Sequence, residues 1–357
     1  MLTPVRAFPE VIRLQQPMIA AGALPIDISV LQSAELFLDL YGEDIRGRTY
    51  TTFDPFRGEQ MLRPDFTVPV AEHHMTTAAG AHRYTYAGSV FRRPEQDGWR
   101  QREFVQVGYE VFNVVDTVAA DIEVFALFGE ILAPFDLRRK TGDMSIVMAA
   151  VQGLSISDGR KSALMRHIWR PQRFRALMDR YAGRTPVPAS QRQLMGDSTD
   201  WHLFPEFGVR RREDVHRRIA RLREDFRGPQ IPPDEFNSLE ALLEIRTTMP
   251  QAIEQLTIIA DDLPAIKPAV DRLTRRRDGL VARGVTVSSI EFEVCYGRTQ
   301  MEYYDGFVFG FLSDDHPRWP PVSTGGRYDA LTKRLGRGTE CPAVGGVILS
   351  DLIGQLS

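Results

Sequence analysis

Two stretches of the chain alternate apolar and polar side chains with a period of two, Tyr84-Thr-Tyr-Ala-Gly-Ser-Val-Phe-Arg92 and Arg102-Glu-Phe-Val-Gln-Val-Gly-Tyr-Glu110. The nine residues between them, RPEQDGWRQ, include Pro, Asp and Gly. The pattern predicts two antiparallel strands joined by an extended turn. Side chains alternate faces along a strand, so Arg102, Gln106, Gly108 and Glu110 share one face. Gly88 and Arg92 share one parity on the partner strand. A polar strand face is ordinarily a solvated one. Glycines in a strand interior instead mark the close approach of a ligand or another backbone. Here the glycines fall among the charges, and the pattern alone leaves a wet face and a binding floor equally open.

Composition narrows the field around this hairpin. The 357 residues are 43% hydrophobic and 25% charged with a formal charge of −3, so two domains are expected. No apolar run reaches the ~18–20 residues of a membrane span, and the start, MLTPVRAFPE, has no signal-peptide core. A cytoplasmic protein without a membrane partner is expected. Cys295 and Cys341 form no CxxC pair, which excludes a zinc ribbon or a disulfide framework. Only Lys140, Lys161, Lys267 and Lys333 are lysines, against 40 arginines, and no GxxxxGK[ST] occurs, so P-loop chemistry is excluded. His73 and His74 are adjacent and cannot share a helix face, so no metal is assigned.

Three blocks follow from pattern. Residues 1–150 begin with helices expected at Pro9–Ala20 and Leu31–Leu40. Strands at Thr49–Phe53, Tyr84–Phe91 and Glu103–Phe112 and a helix at Val118–Ile131 come next. Residues 151–285 read as short helices broken by Gly228-Pro229, Pro232-Pro233 and Pro250. From about 155 to 285 they carry 24 basic against 18 acidic residues. Residues 286–357 return to strands at Ser288–Tyr296, Phe307–Leu312 and Val344–Leu349. The expected architecture is one mostly antiparallel α+β sheet domain, flanked by helices and interrupted by a helical insertion. Within it, Leu62-Arg-Pro-Asp-Phe-Thr67 leads into a helix at Val68–Thr77, where Asp65 or Thr67 could serve as a cap. Glu302-Tyr-Tyr-Asp-Gly-Phe-Val-Phe309 precedes Ser323-Thr-Gly-Gly-Arg-Tyr-Asp-Ala-Leu331, read as a glycine turn running into a helix.

In this order the four clusters resemble histidyl-tRNA synthetase, a class II aminoacyl-tRNA synthetase. LRPDFT resembles that family's LRPEGT segment, and FRRPEQDGWRQREFVQVGYEVF resembles its motif 2. MEYYDGFVF is similar to the histidine-specific segment, TGGRYDAL to the glycine turn beyond it, and AVGGVILSDLI stands where motif 3 belongs. The resemblance covers about residues 10–135 and 290–353. It implies a class II synthetase-like fold and a histidine pocket. Asp65, Thr67, Gln106 and Glu110 suit an α-ammonium and an imidazole N–H, and Arg92 suits a carboxylate. Tyr303, Tyr304 and Tyr328 supply walls and hydroxyls.

The departures concern ATP. The family's motif 2 Arg-x-Glu is Arg92-Arg93-Pro94 here, its histidine-activating arginine is Thr299 with Arg298 one residue off, and its motif 3 Glu-Arg is Asp351-Leu352. Activation of an amino acid needs cations on the transferring phosphoryl group. A one-residue slip along a strand would point Arg298 to the opposite face. The chain ends five residues after Leu352, so no anticodon-binding domain is expected.

A pocket kept without its chemistry is similar to the regulatory subunits of ATP phosphoribosyltransferase, synthetase paralogues in histidine biosynthesis. That resemblance implies a non-catalytic subunit with no catalytic residues, cofactor or metal. Its partner is the short-form catalytic subunit, with L-histidine as feedback effector. It also implies a homodimer around motif 1 (about residues 25–60, with Ser29 at the motif's proline) within a hetero-octamer. Three other readings compete. An active histidyl-tRNA synthetase fails on the departures. A different amino-acid ligase lacks the same arginines. A nucleic-acid binder would rest on Arg210–Arg227, where interleaved acids (Glu213, Asp214, Glu224, Asp225) favour a salt-bridged surface helix.

Overall fold

The computed structural model describes residues 7–41, 43–78, 80–93, 102–187, 189, 192, 211–298 and 303–356. Pro94, Thr299 and Glu302, and residues 94–101 of the expected turn, lie outside the described residues. The strands are β1 Leu24–Pro25, β2 Leu31–Ser33, β3 Thr51–Asp54, β4 Gly58–Leu62, β5 His82–Phe91, β6 Glu103–Phe112, β7 Leu137–Asp143, β8 Arg246–Thr248, β9 Glu291–Glu293, β10 Phe307–Ser313, β11 Ser323–Arg327 and β12 Ala343–Leu349. Nine form one sheet in the order β1-β5-β6-β12-β11-β10-β7-β9-β8, and β2-β4-β3 form a second. Pairing in the large sheet is antiparallel except for β1 with β5 and β7 with β9. The expected α+β sheet flanked by helices is therefore present.

β5 and β6 pair over their whole length, Phe91 opposite Glu103 and His82 opposite Phe112. β-branched and aromatic residues fill both strands, which suits a pleated, packed surface. One face of the sheet is covered by the helix Thr117–Ile131, whose Asp116 cap accepts the N–H groups of Val118 and Ala119. From that helix Phe125 packs on Phe307, Phe309 and Phe311 of β10 at centroid distances of 5.6–6.0 Å. The opposite face of β5 and β6 receives the helix Thr67–Thr77, through Thr67 on Glu110 and His74 on Tyr84 and Phe112. Among the described residues between 158 and 282 lie the helices Asp158–Arg166, Pro171–Tyr181, Arg212–Arg227, Pro233–Glu244, Met249–Asp262 and Lys267–Ala282. The last of these packs against Thr117–Ile131.

Four local expectations are corrected. Leu31–Ser33 is a strand paired with β4, and the helix begins only at Ala34. The apolar spacing of Leu31, Leu36 and Leu40 gave no sign of that break. Ser288–Tyr296 shrinks to β9, preceded by a 3-10 turn and followed by a turn through Arg298. Ser323–Arg327 is a strand rather than a glycine turn, because Gly325 and Gly326 pair with both β10 and β12. Arg298 thus sits on a turn, and strand parity does not govern it. The basic segment Arg212–Arg227 is a helix carrying Arg217–Asp214, with Asp225 paired to Arg160 and Arg180. Arg210 lies outside the described residues.

Candidate functional site

The face of β6 opposite the helix Thr117–Ile131 carries Gln106, Gly108 and Glu110, with Gly88 and Tyr86 beside them on β5 and Gly345 on β12. A Cβ at Gly108 would meet the Tyr86 ring, and one at Gly345 the Glu110 carboxylate. The glycines make room for large side chains lying flat on the sheet. Phe66 then stacks on Tyr86, with centroids 4.4 Å apart and planes at 12°.

Glu110 lies at the centre and is wholly buried. Its Oε1 accepts the hydroxyls of Thr67 at 2.8 Å and Tyr86 at 2.9 Å, and Oε2 accepts that of Tyr328 at 2.6 Å. Burial raises its pKa to about 7 against the opposing pull of these three hydroxyls, and Asp65 nearby adds to the rise. Asp65 is itself buried and raised by desolvation, partly offset by Arg92 and by the Val68 N–H, which its Oδ1 accepts at 3.2 Å. That bond gives Asp65 a capping role at the helix Thr67–Thr77 as well as a place in the site. Tyr303, Tyr304 and Tyr328 form the wall, with ring centroids 4.8 Å (Tyr303–Tyr304) and 6.0 Å (Tyr303–Tyr328) apart. Burial pushes the Tyr303 and Tyr328 phenols upward.

The structure brings Asp65, Thr67, Glu110, Tyr303, Tyr304 and Tyr328 into one neighbourhood. Arg92 borders it, donating from Nε to the Pro64 carbonyl at 2.8 Å with its guanidinium 5.4 Å from the Phe104 ring centroid. Gln106 lies on the floor, 2% exposed, and its Oε1 has no hydrogen-bond partner among the described residues. Tyr86 is not singled out by the sequence pattern, although it shares the parity of Gly88 that marked the floor. Asp305 is a second addition. Its half-buried carboxyl accepts the N–H groups of Asp329 and Ala330 and is raised to about 7, first by desolvation and then by Asp329.

The residues around the expected ATP side are turned to other tasks. Arg298 is buried, donates to the Ile168 carbonyl and lies 4.4 Å over the Phe174 ring, so it belongs to the helical segment. Asp351 accepts the Val105 N–H at 2.9 Å. Cys295 is half-buried, and burial raises its thiol pKa. His74 stacks on Phe112 at 4.4 Å, and burial lowers its pKa to about 4, with His82 and His73 adding to the fall. Among the described residues no cluster of His, Cys, Asp and Glu is suited to a metal, and no helix is long and apolar enough to cross a membrane.

The chain is 29% identical over 356 residues to an ATP phosphoribosyltransferase regulatory subunit of Mesorhizobium japonicum, covering 93% of this chain and 92% of that one. A protein of the same name from Rhizobium rhizogenes is 29% identical over 357 residues, covering 92% of each. Among solved structures, an ATP phosphoribosyltransferase regulatory subunit/histidyl-tRNA synthetase from Bacillus halodurans superposes with a TM-score of 0.68 at 20% identity, over 98% of this chain and 78% of that one. A histidyl-tRNA synthetase from a Nostoc species gives 0.65 at 16% identity, over 98% and 71%. These two likenesses establish the fold. The family model for histidyl-tRNA synthetase matches residues 13–206 and 212–350, and with the synthetase-like sheet this shows that the chain belongs to the histidyl-tRNA synthetase family.

Proposed function

We propose that this chain is the non-catalytic regulatory subunit of ATP phosphoribosyltransferase, required by the short-form catalytic subunit and relaying feedback inhibition by L-histidine. The names carried by the relatives support the regulatory role. The observation that carries the histidine part is the state of Glu110. An ionised carboxylate offers about four acceptor positions, and three here are taken by hydroxyls. Asp65 is also buried within electrostatic reach, and no cation contacts Glu110 among the described residues. A ligand bringing an ammonium or imidazole N–H between two desolvated carboxylates would restore the charge balance, with the Gln106 Oε1 as a further acceptor. The tyrosine walls suit a small aromatic ring.

In this reading the protein works in the cytoplasm, in the first step of histidine biosynthesis, as a homodimer within a hetero-octamer. Residues 151–285 form an insertion between the two halves of the core. Aminoacylation is not expected, because Pro94, Thr299 and Leu352 replace the ATP-site residues and Arg298 is engaged elsewhere. The test is to add the chain to a short-form ATP phosphoribosyltransferase and follow phosphoribosyl transfer with and without histidine. The rate should rise with the chain and fall again with histidine. An unchanged rate on mixing would refute the regulatory reading. Histidine-dependent ATP–pyrophosphate exchange by the chain alone would restore the synthetase reading.

A further inference from the structure

β11 leads into two consecutive side chains that reach opposite faces of the sheet. Tyr328 turns to the pocket and donates to Glu110 at 2.6 Å. Arg327 turns to the helix face, where its Nε and Nη2 reach Asp121 Oδ1 at 3.0 and 2.6 Å and its Nη2 also reaches the Thr117 carbonyl at 2.7 Å. The other oxygen of Asp121 accepts Arg276 from Nε at 3.1 Å and from Nη2 at 2.7 Å. Arg276 Nη1 continues to Asp143 Oδ2 at 3.1 Å. Asp143 in turn caps the helix Met144–Gly153 through Oδ1, which accepts the Ser145 N–H and hydroxyl. The Arg276 guanidinium also lies 4.4 Å from the Phe307 ring centroid. The side chains of Arg276, Asp121 and Asp143 are 1–2% exposed and that of Arg327 is 10% exposed.

Two arginines and two aspartates thus form a desolvated cluster between the helix Lys267–Ala282 and the strand that precedes Tyr328, with Asp329 accepting Arg327 Nη1 at 3.0 Å on its outer edge. A buried ion cluster is a poor source of net stability, because desolvation offsets most of its attraction. Its directional bonds admit few geometries, so a change at one member is felt by the others. We propose that Arg276 is a positioning residue for the pocket: by holding Arg327 through Asp121 it fixes the backbone that places the Tyr328 hydroxyl on Glu110, and so couples pocket occupancy to docking of the helix Lys267–Ala282. The inference rests on reading the pocket as a histidine site. Such coupling is reciprocal: ligand steadies the helix by the same factor that the helix improves the ligand's affinity. It gives the helical segment a part in reporting histidine.

The test uses the full chain, with histidine binding measured by calorimetry and amide exchange by mass spectrometry. The variants are Arg276→Met, Arg275→Met as an exposed neighbour, Asp121→Asn as a milder break, and Tyr328→Phe. Arg276→Met should bind histidine about tenfold more weakly while still folded, with Asp121→Asn in the same direction and Arg275→Met within about twofold of the parent. Histidine should slow exchange in residues 267–282 of the parent, and Tyr328→Phe should speed exchange there without ligand. A merely structural Arg276 would lower the melting temperature while leaving affinity unchanged well below it. Parent-like affinity in the folded Arg276→Met protein, or in Asp121→Asn if Arg276→Met does not fold, overturns the coupling and leaves the histidine site standing. No binding by the parent overturns the histidine reading. The coupling is then decided by Tyr328→Phe, and unchanged exchange at 267–282 overturns it as well.

Discussion

At the scale of single residues, Glu110 gives the clearest forecast. Its folded pKa of about 7 stands above the ordinary carboxylate value of about 4.5. Between these values the unfolded chain has released the proton and the folded chain still holds it, so this group lowers stability as pH rises from about 4.5 to 7. His74 acts with the opposite sign: its folded pKa of about 4 lies below the free value of 6.5, and stability is lost as pH falls through that window. Glu110→Gln should therefore leave a steeper loss toward acid, visible in urea midpoints at pH 5 and 7. A cationic ligand favours ionised Glu110, so histidine binding at pH 7 should release protons. Calorimetry in buffers of different ionisation enthalpy measures that release. The shared parity of Gln106, Gly108 and Glu110 is legible in the sequence alone. The hydroxyls converging on Glu110 are not, since Thr67, Tyr86 and Tyr328 come from three separate segments that only the fold brings together.

Arg275-Arg276-Arg277 shows, at the scale of elements, what composition cannot reveal. The three are alike in sequence, yet their side chains are 60%, 2% and 30% exposed. Helix phase against Thr117–Ile131 makes the difference. Arg276→Ala would leave the buried Asp143 without its cation and Asp121 with Arg327 alone, and should cost about 3–5 kcal/mol in urea denaturation. Arg275→Ala removes only an exposed pair and should change stability by less than about 0.5 kcal/mol. The long strands β5, β6 and β10 and the helix Thr117–Ile131 are readable because their patterns run for several residues. β2, β8 and β9 are not, because three residues hold too little pattern to separate a strand from the end of a helix. The β11 glycines read as a turn because Gly-Gly is ordinarily one, and only strands on both sides reverse that preference.

For the whole molecule, the small sheet β2-β4-β3 presents Phe53 at 74% exposure, with Phe56 at 97% in the turn after β3 and Leu31 at 45% on β2. These residues fall in the segment expected to hold a homodimer, and apolar side chains so exposed are costly unless covered. Phe53→Glu with Phe56→Glu should shift the chain to a monomer in sedimentation equilibrium without unfolding the large sheet. A parent that is itself monomeric would refute this face as a homodimer interface. The Glu110 cluster has a consequence for folding as well. Thr67 and Tyr86 precede the helical segment and Tyr328 follows it, 218 residues from Glu110 along the chain. A site stitched from both ends of the sequence exists only after the last strands have joined the sheet. On the proposed reading, histidine would therefore bind only where Glu110 and Tyr328 have been brought together, and its binding would report the joining of these distant segments as well as a metabolic state.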